Sequence, residues 1–270
     1  MNIARRTSGF TLIELLVVIS ILGLLAGLAV PAIKNLGKSN VTVSAARQLL
    51  DDVARARQLA ITDRTTVYMI FVPTNFWDNL PSLPADQDTV AVTNLIDKQL
   101  TGYTFVSLRS VGDQPGRGTT NYLAAWQNLP QGDFIAQWKF QPRYTTTVFQ
   151  DLVDNRTYNI PGFSRTSANF IPFPSINSPG VATNLPYIAF NYLGQLTTEQ
   201  LSPAPSQQDE YIPLAQGTVS PGSDPNHKTL QFGSPYVTEN PAGNSTNASY
   251  NVIHIDWLTG RAREEVQLLR

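Results

Sequence analysis

The 270-residue sequence contains no cysteine, only 2 histidines and only 14% charged residues. The absence of cysteine excludes disulfide bonds, thiolate zinc sites and cysteine nucleophiles. Two histidines far apart in the chain leave little material for an imidazole metal site or a Ser-His-Asp triad. The balance of 19 basic against 20 acidic side chains excludes a strongly basic nucleic-acid platform, although it is compatible with a local basic patch.

The scarcity of charge is greatest near the amino terminus. Residues 10–33 contain 18 apolar side chains among 24, and Glu14 is the only charged one. The 19 uncharged residues from 15 to 33 would form a helix of ~28 Å, close to the ~30 Å hydrocarbon core of a bilayer. Because Arg5 and Arg6 precede this run, the positive-inside rule predicts a cytoplasmic amino terminus, with the rest of the chain outside.

Two simple interpretations of this segment are a secretory signal peptide and a plain membrane anchor. The apolar run exceeds the about 7–15 residues of a signal-peptide core, and no small-residue cleavage site follows it. A plain anchor does not account for Glu14, because an unpaired carboxylate in lipid is unfavourable by about 2.5 kcal/mol or more and is usually functional. The sequence therefore favours a specialised membrane segment.

Residues 8–19 read Ser-Gly-Phe-Thr-Leu-Ile-Glu-Leu-Leu-Val-Val-Ile. This segment resembles the class III prepilin signal of type IV pilins and type II secretion pseudopilins, in which Gly precedes the cut and Glu is the fifth residue of the mature chain. The resemblance implies that prepilin peptidase cleaves between Gly9 and Phe10 and methylates the new amine of Phe10. It also implies a bacterial inner-membrane protein with a periplasmic or extracellular head, which later enters a filament.

The resemblance also gives Glu14 a partner. A carboxylate in hydrocarbon needs a cation, and the implied cation is the amine of Phe10 on a neighbouring subunit. Because desolvation offsets much of the Coulomb energy, such a pair is better evidence for axial register than for stability. The implied protein partners are prepilin peptidase, other pilins or pseudopilins and the inner-membrane assembly platform, with secreted cargo or DNA left open.

Gly23, Gly27 and Pro31 follow on the same predicted helix. The two glycines have the GxxxG spacing that lets helices approach closely in a bilayer, and the proline removes a helical hydrogen bond. In the pilin family such a segment loses helical structure on assembly, so the resemblance assigns these residues to helix flexibility and packing. The alternative is that glycine and proline are simply common in membrane helices.

An amphipathic helix is predicted from about residue 39 to residue 62. Its apolar residues recur at spacings of three and four, and they are Val43, Ala46, Leu49, Leu50, Val53, Ala56 and Ala60. Its other face carries Arg47, Gln48, Asp51, Asp52, Arg55 and Gln58. The apolar face needs a sheet to cover it, so we expect one interrupted helix over residues 10–62, after a leader of residues 1–9.

Residues 63–270 are expected to form a β-rich head. Runs of β-branched and aromatic residues predict strands at 66–72, 103–109, 134–140, 187–193 and 251–257. No second helix is predicted, and long loops are expected at 73–100, 141–186 and 198–250. The predicted fold class is α+β and pilin-like: a long N-terminal helix, transmembrane at about residues 15–33 and amphipathic beyond, packed on a mainly antiparallel β-sheet.

Residues 46–61 and the following strand resemble H-type pseudopilins and FimT-type minor pilins, as do two late strands that end in turns at Gly194 and Gly260. The segment from Gly260 to Arg263 resembles the Gly-Arg-x-Arg ending linked to DNA capture in FimT-type proteins. Arg261 and Arg263 would lie on one side of an extended segment. Two glutamates follow directly and offset their charge, so a solvated or ion-paired turn is the alternative.

The sequence contains no Walker A, Gly-x-Ser-x-Gly or His-Glu-x-x-His motif, so we expect no enzyme and no cofactor. Some aspartates could help to hold Ca²⁺, but none is arranged as an EF-type calcium loop; they are the pair Asp151 and Asp154, and the single residues Asp224 and Asp256. Structural roles are expected for His227 and His254. Core packing is expected for the tryptophans, which are Trp77, Trp126, Trp138 and Trp257.

These observations predict a structural, minor subunit of a membrane-assembled filament of type II secretion or type IV pilus machinery. Two alternatives stay open. The first is a DNA-binding minor pilin of a DNA-uptake pilus. The second is a sheet-rich extracellular module on an ordinary single-pass anchor.

Overall fold

The computed structural model describes residues 12–74, 87–110, 112–114, 118–143, 146–150, 157–167, 170–177, 184–198, 204–222, 233–246 and 251–265. The chain divides into two compact units, Met1–Val41 and Thr42–Arg270. Helix α1 (Leu12–Thr62) begins in the first unit and ends in the second. The predicted N-terminal helix is present from residue 12 to residue 62, and it is one continuous helix rather than the interrupted one that was expected.

The described residues of the second unit form fourteen strands and a second α-helix. Helix α2 spans Gln87–Ile96. The strands are β1 (Val67–Phe71), β2 (Gly102–Ser107), β3 (Asn121–Tyr122), β4 (Gln127–Asn128), β5 (Asp133–Ile135), β6 (Thr146–Gln150), β7 (Thr157–Pro161), β8 (Ser164–Arg165), β9 (Pro186–Phe190), β10 (Leu196–Thr197), β11 (Glu210–Ser220), β12 (Tyr236–Glu239), β13 (Asn251–Ile255) and β14 (Ala262–Glu265).

The strands assemble into two main sheets and one hairpin, and every described strand pair is antiparallel, as predicted. The first sheet has the order β10-β9-β1-β2-β3, with β4 added to β2 and β8 added to β9. The second has the order β12-β11-β13-β14, with β5 added to β11. Strands β6 and β7 pair with each other.

Strand β1 lies at the centre of the first sheet, where its Met69 is opposite Phe105 of β2 and Ile188 of β9. Successive side chains of a strand point to opposite faces. Val67, Met69 and Phe71 accordingly enter one core, while its other residues enter a second core. The sheet is therefore covered on both faces.

The first core lies between the carboxy-terminal part of α1 and strands of both sheets. Six residues of α1 are fully buried in it, and they are Ala45, Ala46, Leu49, Val53, Ala56 and Ala60. Strands of the second sheet contribute Ile212, Leu214 and Ile253 to the same core. Alanine recurs on the helix face because a small side chain lets the helix lie close to the strands.

The helix face differs from the predicted one at four positions. Ala45 is buried, whereas Val43 is 38% exposed and Leu50 is only partly buried. Asp52, assigned to the polar face, is instead buried, because Tyr103 of β2 donates a hydrogen bond of 2.5 Å to its Oδ2. The sequence periodicity predicts an exposed residue at this position, but the hydrogen bond from Tyr103 allows the carboxylate of Asp52 to be buried.

The prediction of a long loop at residues 73–100, with no second helix, is wrong, because α2 occupies part of this range. Val92, Leu95 and Ile96 of α2 are buried against the second face of the first sheet, together with Ile171 and Phe173. This helix is rich in valine and threonine, which have modest helix propensity. Burial of one face therefore stabilises a helix that composition does not favour.

The other two expected loops also contain strands. Residues 141–186 include the β6–β7 hairpin and β8, and residues 198–250 include the 11-residue β11. Pro213 and Gly217 interrupt the β pattern of β11, yet the carbonyl of Pro213 accepts a bond from the Ala136 amide. The predicted strand at 134–140 ends early, because residues Gln137–Phe140 form a 3-10 helix.

Within the described residues, no helix is both long enough and apolar enough to cross a membrane. The expected span at 15–33 includes residues 26–33, whose side chains lie outside the described ones.

Candidate functional site

The first turns of α1 present an apolar surface that carries one acidic residue. Between Leu12 and Leu25 the large apolar side chains are between 47% and 84% exposed in the single chain. Glu14 lies in the first turn, and together with Ile13, Val17 and Val18 it lines a cleft of about 280 Å³. The carboxylate therefore lies within a surface that is otherwise apolar.

Two further features of this segment suit close helix packing. The hydroxyl of Ser20 donates a 2.8 Å bond to the carbonyl of Leu16, so its polarity is satisfied inside the helix. A side chain at Gly23 would meet no atom within 4 Å, which leaves the surface above this glycine open. Gly9 and Phe10 lie outside the described residues, as do the side-chain surroundings of Gly27 and Pro31, and the roles given to these four residues stay predictions.

A second notable site lies where α1 meets two glycine turns. The turn after β9 contains Gly194 with φ +79°, and the turn after β13 contains Gly260 with φ +62°. A Cβ atom at Gly260 would collide with the carbonyl oxygen of Gly194. Both positions need glycine because the backbone is left-handed and the two turns touch.

Arg57 of α1 binds this pair of turns. Its Nε donates a 2.7 Å bond to the carbonyl of Thr259, and its side chain lies 3.1 Å from where a Cβ of Gly194 would be and 3.2 Å from that of Gly260. Ile61 of α1 covers Gly194 from the same side. Arg57 thus joins the helix to the ends of a strand from each sheet.

Each turn is built around one polar side chain. Asn191 Oδ1 accepts bonds of 3.0 Å from the amides of Leu193 and Gln195. Asp256 Oδ1 accepts 2.7 Å bonds from the amide and the hydroxyl of Thr259. These bonds from Thr259 lower the pKa of Asp256, so the carboxylate that shapes the second turn is ionised at neutral pH.

Arg261 and Arg263, singled out as DNA contacts, are both exposed and line one cleft of about 340 Å³. Arg263 Nη2 lies 3.0 Å from Oε1 of Glu265, which is the ion-paired alternative. Glu264 accepts a 3.0 Å bond from Asn251. Burial raises the pKa of Glu264, and the positive charge of Arg47 partly opposes this shift.

The structure also contains buried charged groups that sequence patterns do not identify. Lys139 is fully buried, donates to Pro161 and Glu210, and lies 4.8 Å from the centre of the Phe163 ring. Burial lowers the pKa of Lys139, whereas Glu210 opposes that shift. Arg143 adds a 3.0 Å bond to Glu210.

Three of the four tryptophans have described surroundings. Trp126 and Trp138 donate to the carbonyls of Pro174 and Ser245 at 2.9 and 2.8 Å, and Trp257 packs against the first core. These three tryptophans thus contact other residues of the head. Trp77 lies outside the described residues, as do the other expected polar candidates Asp151, Asp154, Asp224 and His227.

The described residues offer no built metal centre. Within the ranges given above, no group of three or more histidine, aspartate or glutamate side chains is arranged to hold a metal ion. Asp256 instead binds its own turn through Thr259.

Residues 4–30 match the model of the prokaryotic N-terminal methylation motif. This match supports the predicted prepilin signal. The motif indicates a prepilin-type pilin or pseudopilin subunit, and it implies processing by prepilin peptidase and assembly with other pilins. The match covers 27 of the 270 residues. No curated protein and no solved structure matches the chain.

Proposed function

We propose that this chain is a minor structural subunit of a pilus-like filament assembled at the bacterial inner membrane, in type II secretion or type IV pilus machinery. The methylation motif carries this proposal, and the exposed apolar surface around Glu14 supports it. We prefer an H-type minor subunit, because residues 46–61 and the two late strands that end in turns at Gly194 and Gly260 resemble that type in sequence.

The proposed mechanism is mechanical. Prepilin peptidase cleaves between Gly9 and Phe10, and the methylated Phe10 becomes the amino terminus of a 261-residue chain (270 − 9). The N-terminal helix holds the subunit in the membrane until it enters the filament. Glu14 then pairs with the amine of a neighbouring subunit, while exposed leucine, isoleucine and valine side chains supply the packing surface.

Replacement of Glu14 by Ala tests this role. We expect normal cleavage, since the peptidase site at Gly9 and Phe10 is unchanged, and loss of the variant from sheared filaments, measured by immunoblot of filament and membrane fractions. Ser20→Ala is the matched control and should enter filaments normally, because the hydroxyl of Ser20 bonds to the Leu16 carbonyl of its own helix and the change keeps the carboxylate and the apolar surface. Incorporation of Glu14→Ala at the wild-type level would contradict the proposed register role.

Of the two alternatives, DNA binding has the more specific test. The pairing of Arg263 with Glu265 and the adjacent Glu264 weaken the basic field, so we favour the structural role. A gel shift with residues 38–270, compared with the double change Arg261→Ala and Arg263→Ala, distinguishes the two roles. A shift at low salt that requires both arginines would favour the DNA-uptake assignment.

A further inference from the structure

His254 of β13 lies between two carboxylates in the interior of the head. Its Nδ1 is 2.7 Å from Oε1 of Glu265, and its Nε2 is 2.8 Å from Oδ2 of Asp209. The ring stacks on Tyr211, with 4.5 Å between the ring centres, and only 8% of the side chain is exposed. Two segments, the start of β11 and the end of β14, therefore flank this imidazole.

The protonation state of His254 decides how many of these bonds exist. An ionised carboxylate only accepts hydrogen bonds, whereas a neutral imidazole has one N–H donor and one bare nitrogen. The imidazolium form alone has a donor for both Asp209 and Glu265. Loss of the proton removes one charge-assisted bond and leaves a carboxylate facing a nitrogen lone pair.

The two carboxylates connect His254 to different parts of the head. Glu265 belongs to β14, which pairs with β13 alone among the described strands. Asp209 precedes β11, and its Oδ1 accepts a 2.9 Å bond from the amide of Trp257. Trp257 begins the turn whose Thr259 carbonyl accepts the bond from Arg57. One carboxylate therefore restrains the last strand, and the other restrains the turn that receives α1.

The other charged groups around His254 do not replace its bonds. Arg263 of β14 pairs with Glu265 from the exposed side, and Arg261 lines the same cleft as His254. Asp256, which follows β13, accepts hydrogen bonds from Thr259. Tyr211 of β11 contributes its ring face. The imidazole bonds to both Asp209 and Glu265, whereas the bond from Asn251 to Glu264 joins β13 to β14 alone.

We propose that His254, Asp209 and Glu265 form a pH-sensitive latch. When His254 is protonated, the latch fastens β14 and the segment before β11 to β13. When His254 loses its proton, one carboxylate is released, and the C-terminal hairpin and the turn 256–260 become looser. The latch belongs to the head, so it is independent of the proposed filament role.

Hydrogen exchange of the full chain in detergent, followed by mass spectrometry, tests the latch. We compare about pH 5 with about pH 8, on either side of the ordinary titration range of histidine, after correction for intrinsic exchange rates. Protection of amides in β14 and in the turn 256–260 should fall about tenfold or more at the higher pH, since one bond to a charged group is lost.

His254→Gln should remove this pH response. Arg263→Gln is the control, because it removes the other partner of Glu265 and keeps the imidazole, and it should retain the response. An unchanged response in His254→Gln, or no response in the wild type, would overturn the proposal.

A second measurement reads the protonation of the imidazole directly. In ¹⁵N-histidine-labelled wild-type protein, both ring nitrogens of His254 should show protonated chemical shifts in the closed state at about pH 5. Glu265→Gln assigns the resonance, because this change should move the signal of Nδ1 and leave that of His227. A neutral ring with one bare nitrogen at that pH would overturn the latch.

Discussion

At Gly260 the absence of a single side chain lets two turns meet. An alanine there would have a left-handed backbone, and its Cβ would collide with the Gly194 carbonyl. We expect Gly260→Ala to lower the free energy of unfolding by about 1–3 kcal/mol, as strained backbone positions do. Urea unfolding followed by tryptophan fluorescence measures this difference.

The matched control for Gly260→Ala is Gly233→Ala. A Cβ at Gly233 would meet no atom within 4 Å, so this change should leave stability within about 0.5 kcal/mol of the wild type, as at most surface positions. Equal effects of the two substitutions would show that contact between the turns is unimportant for stability.

Asp52 is a second single residue whose burial leads to a prediction, here a pH-dependent one. Burial raises the pKa of this carboxyl, and the bond from Tyr103 and the charge of Arg55 oppose the shift. Because folding then opposes ionisation, the contribution of Asp52 to stability is complete at low pH and is lost as pH rises through its folded-state pKa. An asparagine side chain does not ionise, so the stability of Asp52→Asn relative to wild type should increase from about pH 4 towards neutrality.

Unfolding midpoints in urea, measured at several pH values, test the Asp52 prediction. Asp63→Asn is the control, since it removes one negative charge outside the Tyr103 bond. Parallel stability curves for wild type and Asp52→Asn would mean that the buried carboxyl does not influence folding in this pH range.

Between elements, Lys139 and Glu210 join the 3-10 helix at 137–140 to β11. Glu210→Gln leaves a buried ammonium without its counter-charge, so we expect a loss of about 3–5 kcal/mol in the free energy of unfolding. The double change Lys139→Met and Glu210→Gln should recover part of this loss, because the unpaired buried charge is then absent. A double variant that is less stable than Glu210→Gln alone would contradict this explanation.

Sequence periodicity predicts those elements whose burial follows one simple pattern. Strand β1 and the Ala46–Ala60 face of α1 follow such patterns, and both are confirmed. It misses α2 and β11, because their stability comes from covering or pairing with residues far away in the chain. Pro213 is the clearest case, since its carbonyl finds a partner in Ala136 although its ring interrupts the strand pattern.

The candidate sites show the same division. The motif around Glu14 is local, so the sequence identifies it, and the match to residues 4–30 supports the signal. The two glycine turns are also visible as strand endings. Their meeting at Arg57, the carboxylates around His254 and the Lys139–Glu210 pair depend on contacts between distant segments, and one sequence does not reveal such contacts.

Across the molecule as a whole, the core of the second unit begins at Ala45. Among the residues with described side chains, those before Thr42 contribute nothing to the buried clusters. We therefore expect residues 42–270 to fold alone, with one cooperative thermal transition, as single domains usually show. Circular dichroism during heating tests this expectation, and a fragment without a cooperative transition would contradict it.

Processing at the amino terminus distinguishes a prepilin-type subunit from every alternative with an ordinary anchor. Mass spectrometry of the protein purified from bacterial membranes reads this processing from the mass of the intact chain and the sequence of its first peptide. We predict a mature chain that begins with N-methylated Phe10 and contains 261 residues (270 − 9). A chain that retains residues 1–9 in the presence of active prepilin peptidase, or one cut at another position, would show that the chain is not a processed prepilin.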